Sequence, residues 1–304
     1  MGDFIVITDG SGDIPKEVIE ARNIRMINFF VMLGSGEYLQ QNVDIGDDEF
    51  YEWMVTHPGV YPKSSTPSTQ DYLKAFTEIA EAGEKAIVLC ITEKFSNSYQ
   101  TACIALDLLR EDYPDAQITV INSMVNTVLQ GLMVLEACNM RDAGVSYAEA
   151  VERLYEIRPT GRIFFTIGSI DYLSHGGRIG KLAGKVTSAL GIRPVITLKE
   201  GEIFLGGVGR GRAKTLDKTL KNAYDYLKEN FTSREQFDIC LGYGYDYNEA
   251  VEFRSRVEAM LYELGLDGGG SAEPIHITHI SSVIAVHTGP YALGIGILAK
   301  ARLD

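Results

Sequence analysis

The opening segment, FIVITDGSGD (4–13), constrains the fold more than any other. Five apolar or β-branched residues in a row end on a turn carrying two aspartates and two glycines. A run that short, closed by turn residues, predicts a strand buried on both faces. Asp13 and Pro15 then predict a helix through Arg22. The pattern recurs. Ile24–Leu33 reads as one strand and Asp47–His57 as an amphipathic helix stopped at Pro58-Gly59. Ser68-Thr69-Gln70-Asp71 has capping-box spacing before a helix to Gly83. Strands are predicted over 86–91 and 118–121, and helices over 96–112 and 126–142.

Strands alternating with helices predict a parallel sheet covered on both faces. Such sheets bind ligands in the loops beyond the strand C-termini. Here those loops are 9–13, 63–68, 92–98 and 122–126, rich in Ser, Thr and Asn. The second half reads differently. Strands are expected at 163–167, 238–243, 275–280, 283–287 and 293–298, with a hairpin around Lys199-Glu200-Gly201-Glu202 and helices at 214–231 and 248–264. The expected fold class is α/β in two domains. Residues 1–158 form a three-layer α/β/α domain with a parallel sheet, and residues 159–304 a mixed-sheet α/β domain.

The chain carries 28 basic and 41 acidic residues, a net charge of −13. A nucleic-acid partner held by a basic field is therefore not expected. No apolar run is long enough for a transmembrane segment. Four scattered cysteines, none in a C-x-x-C pair, read as free thiols, and no leader pattern opens the chain, so a cytoplasmic protein is expected. The charge is uneven. Residues 178–221 hold ten Lys and Arg against three acids. That stretch reads either as a solvated surface or as a docking face for an anionic partner.

Several motifs invite chemistry that the spacing does not support. Asp9-Gly10-Ser11 has serine where a phosphatase of the haloacid-dehalogenase type would need its second acid. A structural turn fits better, with Asp9 bonding loop amides and Asp13 capping a helix. Gly206–Gly211 lacks the glycine that a dinucleotide fingerprint needs at position 212. His276 and His279 are three apart in a strand, on opposite faces, so no metal site is expected. Ser68 and Ser96 sit where helices begin, and each reads as an N-cap or as part of an anion site. Ser64 lies outside the helix and is less easily explained as a cap. His287 precedes a Thr-Gly-Pro turn.

Six segments together resemble the DegV family of bacterial fatty-acid-binding proteins, the lipid-carrying subunits of two-component fatty acid kinases. IVITDGSGDIP (5–15) is similar to the family's opening strand and D-S-T-A-D-L-P turn. SSTPS (64–68) is similar to T-S-Q-P-S, and FSNSYQTA (95–102) to L-S-G-T-Y-Q-S-A. YLSHGGRIGK (172–181) matches Y-L-x-x-G-G-R-I. GIRPVITLKEGEI (191–203) and VHTGPYALGIGI (286–297) resemble the remaining two motifs.

The resemblance implies a non-catalytic, cofactor-free carrier. It binds a long-chain fatty acid between or beside its domains and presents the carboxylate to a separate kinase catalytic subunit, which supplies ATP and metal. By correspondence, Ser64, Ser96 and His287 hold the carboxylate, with Ser65 and Thr288 as neighbouring candidates. Arg178 engages the kinase, with Lys181 and Lys185 beside it. Phe29, Phe30, Met32, Ile167 and Leu190 are candidates for the tunnel wall as well as for the core. Tyr291 stands where the family has glycine, adding a ring beside His287. Two other readings stay open: a carrier or sensor of another amphiphile, and a small-molecule kinase or phosphatase using Asp9 and Asp13.

Overall fold

A computed structural model describes residues 3–184, 192–269 and 273–301. Lys185 and Leu190 lie outside these residues. The first half is built on a parallel four-stranded sheet. Its strands are β1 (Phe4–Asp9), β2 (Ile24–Ile27), β6 (Lys85–Cys90) and β7 (Ile118–Asn122), in the order β2-β1-β6-β7. The strands alternate between two apolar layers, as a period of two requires. Ile7, Val88 and Cys90 face α3 (Thr69–Glu81) and α4 (Ser98–Asp112). Val6, Ile87 and Leu89 face α5 (Thr127–Asp142) and α6 (Tyr147–Ile157). Burial on both faces is why these strands read as unbroken apolar runs.

The expected single strand over 24–33 is two strands. After β2 the chain leaves the parallel sheet at Asn28. Phe30–Met32 (β3) instead pairs antiparallel with β4 (Tyr38–Gln40) and β5 (Lys63–Ser65) in a separate three-stranded sheet. The short helices α1 (Lys16–Ala21) and α2 (Asp47–Thr56) fall where expected. Helix α3 carries the capping box, with Ser68 and Asp71 bonding each other's backbone N–H.

The second half is a six-stranded mixed sheet. It contains β8 (Arg162–Thr166), β9 (Ile192–Lys199), β10 (Glu202–Arg210), β11 (Phe237–Tyr243), β12 (His276–His279) and β13 (Leu293–Ala299), ordered β10-β9-β8-β13-β11-β12. Only β11 and β12 run parallel. The β9–β10 hairpin closes through Glu200 and Gly201, both at positive φ (52° and 82°), the backbone of a type I′ turn. The glycine run at 206–211 is the bulged end of β10, where a Cβ at Gly209 would lie 2.5 Å from Thr215 of α8 (Arg212–Asn230). Helices α8 and α9 (Tyr247–Glu263) cover the outer face. A small helix, α7 (Asp171–His175), follows β8.

The strand expected at 283–287 is instead a helix, α10 (Ser282–Thr288). Ser282 through Val286 are all buried. A helix with no polar side carries no 3.6-residue signal, and β-branched residues then read as a strand. Helix α5 lies between the two large sheets and packs on β1, β6, β11 and β13. Its close approach depends on glycine, because a Cβ at Gly296 would sit 2.9 Å from Val128. Among the described residues, no helix is long and apolar enough to cross a membrane.

Candidate functional site

Ser64 sits in β5, opposite Val31 of β3. His287 sits in the last turn of α10. The three-stranded sheet and α10 meet so that Ser64 Oγ lies 3.1 Å from His287 Nε2. The other ring nitrogen, Nδ1, is buried and has no partner among the described residues. It lies against Gly176, where a Cβ would stand only 2.2 Å away. Burial, reinforced by the nearby Arg178 guanidinium, pushes the His287 pKa down to about 3. The ring is therefore neutral at pH 7 and bears one N–H.

Both residues line a pocket between the halves. Ser96, Thr288 and Arg178 also line it, and among the described residues no acidic side chain does. Ser96 precedes α4 rather than opening it, because the helix begins at Ser98 with Asn97 as N-cap. Ser96 Oγ accepts the Ser98 N–H at 3.2 Å, so it serves as a cap one residue early. Among the described residues its hydroxyl proton has no acceptor.

Arg178, expected to engage the kinase, is exposed. Its guanidinium also lines the pocket, where Nε donates to the Phe95 carbonyl (2.9 Å) and Nη1 to the Gly176 carbonyl (2.7 Å). Burial lowers its pKa. Gly177, at φ 68°, makes the turn that brings Arg178 there, and Gly176 leaves room for His287. The two glycines of the G-G-R-I segment thus have separate duties.

Other expected residues are not part of this wall. Ser65 is exposed and does not line the pocket. Lys181 pairs with Glu202 and lies over the Phe204 ring. Phe29 lines the pocket, whereas Phe30, Met32 and Ile167 do not. Tyr291 packs on Gly168 and meets Tyr245 edge to face. The remaining wall is mostly apolar, with Ile91, Phe95, Val128, Leu198, Ile203 and Leu293 among its residues. Sequence reasoning missed the polar members Thr66 and Asn126. Only their places in the Ser/Thr/Asn-rich loops hinted at them.

Asp9 faces five donors: Ser11 N and Oγ, Ile91 N, Ser98 Oγ and Gln130 Nε2. It is fully buried and outside the pocket. Asp13 does not cap α1, whose N-cap is Pro15. It binds the starts of α5 and α10 instead.

Residues 3–300 match the model described as uncharacterised protein, DegV family. A DegV domain-containing protein of Clostridium perfringens is 30% identical over 290 residues, 95% of this chain and 96% of the relative. A stearic-acid-binding protein from Eubacterium ventriosum superposes with a TM-score of 0.89 at 40% identity, covering 98% of each chain. The Streptococcus pneumoniae Fatty Acid Kinase (Fak) B3 protein, loaded with linoleic acid, superposes at 0.76 with 23% identity over 99% of each chain, a likeness of fold. The chain belongs to the DegV family.

Proposed function

We propose that this protein binds one long-chain fatty acid in the pocket between its halves and presents the carboxylate to a separate ATP-dependent kinase. One observation carries the reading: among the described residues, the pocket's hydroxyls, neutral histidine and one guanidinium share a wall with no acid, and most of the remaining lining is apolar. The stearic acid bound by the 40% identical relative supports the ligand class.

In this reading His287 Nε2–H donates to Ser64 Oγ, which leaves the Ser64 proton free for a carboxylate oxygen. Ser96 donates to the carboxylate, and Arg178 balances its charge from nearby. Two of the five Arg178 N–H groups are taken by backbone carbonyls, which fixes the guanidinium at the pocket wall. Tail burial contributes about 0.8 kcal/mol per methylene before association costs. The kinase delivers ATP, and a carboxylate oxygen attacks the γ-phosphorus as ADP leaves, giving acyl-phosphate. This chain's own part is to bind and orient. The Fak B3 likeness motivates the partner class.

Mass spectrometry of the organic extract from gently purified protein tests the ligand, with about one fatty acid per chain expected. Protein that carries no acyl chain and binds none when it is offered would contradict the reading. ATP consumption should require both this chain and a fatty acid kinase catalytic subunit. Turnover by this chain alone would contradict the carrier role.

A further inference from the structure

Two carboxylates from distant elements meet at the start of α10. Asp13, in the loop after β1, accepts the Ser281 N–H through Oδ1 at 3.0 Å and the Thr127 hydroxyl through Oδ2. Asp47, the first residue of α2, accepts the Ser282 N–H at 2.7 Å. Ser281 is the N-cap of α10 and Ser282 its first residue. A helix leaves its first N–H groups without internal partners, and the N-cap side chain ordinarily takes one. Here the hydroxyls of Ser281 and Ser282 are buried with no hydrogen-bond partner among the described residues. The capping is done from outside the helix.

Helix α10 has seven residues, too few to hold its own direction. Its pocket face carries Val283, Ile284, His287 and Thr288. At about 1.5 Å per residue, His287 lies about 8 Å beyond the gripped end. A tilt of about 10° there moves the ring by about 1 Å, enough to break its bond to Ser64. Asp13 also grips the second pocket wall. Thr127 has φ 51°, a left-handed conformation that a β-branched residue rarely adopts. It is held by its hydroxyl on Asp13, by Asp13 N–H on its carbonyl (3.3 Å), and by its own N–H on the Ser11 carbonyl (2.9 Å). Thr127 and Val128 line the pocket.

We propose that Asp13 and Asp47 are positioning residues for the head-group site: by gripping the N-terminus of α10 they aim His287 at Ser64. The proposal rests on the fatty acid reading for its consequence, but the aim of His287 can be read without ligand. The experiment measures the imidazole ¹⁵N signals of His287 in delipidated protein, together with oleate affinity. Asp47→Ala removes the acceptor. Ser282→Pro removes the donor at a helix position that tolerates proline, and Ser281 already has the extended backbone (φ −64°, ψ 153°) that a residue before proline needs.

Both variants should shift the His287 Nε2 signal and weaken oleate binding by tenfold or more. Asp47→Asn keeps an oxygen acceptor and should recover most of the loss. Folded Asp47→Ala and Ser282→Pro proteins with an unmoved His287 signal overturn the proposal. So does an Asp47→Asn protein as impaired as Asp47→Ala. If neither disruptive variant folds, Asp47→Glu decides, since it displaces the acceptor by one methylene: a shifted His287 signal supports the grip and an unshifted one refutes it. Wild-type protein that binds no oleate would remove the fatty acid reading and leave the His287 signal to judge the grip.

Discussion

Ser64 Oγ and His287 Nε2 are 223 residues apart in the chain and 3.1 Å apart in space. The pair joins the three-stranded sheet of the first half to α10 of the second. It stands in a pocket wall with Ser96 and Arg178. The account of the head group depends on this contact, so each partner should matter through the other. Ser64→Ala should weaken fatty acid binding by about 1–2 kcal/mol, the scale of a lost hydrogen bond in a buried site. Ser64→Ala combined with His287→Ala should cost less than the two single effects added, because one interaction is counted twice. Calorimetric titration of all three variants reads the coupling.

Ser96→Ala should cost about 1–3 kcal/mol of fatty acid affinity by leaving a carboxylate oxygen underpaired. Ser96 also caps α4 through the Ser98 N–H. A loss of thermal stability with unchanged affinity would reduce Ser96 to that cap.

Gly176→Ala isolates the space around His287. Gly176 has φ −73°, so alanine meets no backbone strain there. The added Cβ would stand 2.2 Å from His287 Nδ1. The variant should keep its secondary structure by circular dichroism yet bind fatty acid more than tenfold more weakly. Unchanged affinity would mean that the ring does not contribute to binding.

The shifts of His287 and Asp13 affect stability with opposite signs. His287 falls from 6.5 to about 3, so between those values the unfolded chain binds more protons. Its neutral form contributes stability that is complete above about pH 6.5 and is lost as pH falls toward 3. In histidine NMR, His287 should still be neutral at pH 5, and Arg178→Ala should raise its pKa by removing the neighbouring positive charge. Asp13 rises from 3.8 to about 7, chiefly through burial, so there the folded chain binds more protons. Ionisation of Asp13 therefore removes stability as pH rises from about 4 to 7. The stability of Asp13→Asn relative to wild type should increase across that window in chemical denaturation. A difference that stays flat with pH would contradict the raised pKa.

Much of the first half was legible because its signals are local. FIVIT and KAIVLC are strands buried on both faces, and Ser68 with Asp71 is a complete capping box. The break at Asn28 was not legible, since no glycine or proline marks where the chain changes sheets. Helix α10 was hidden by its uniform burial. The site was legible only in pieces. Spacing alone left Ser96 between a cap and a ligand, and both descriptions fit its geometry. Nothing local tells that Arg178 lines the pocket, because that depends on Gly177 and on carbonyls contributed by Phe95 and Gly176. The bond from Ser281 N–H to Asp13 spans 268 residues and leaves no periodic trace.

The central claim is that a fatty acid carboxylate sits against Ser64 and Ser96. The most direct measurement is ¹³C NMR of palmitate labelled at its carboxyl carbon, titrated into delipidated wild type, Ser64→Ala and Ser96→Ala proteins. The account predicts one bound resonance that saturates near one equivalent in wild type, and that shifts and weakens in each variant. No bound resonance, or one identical in all three proteins, would contradict it.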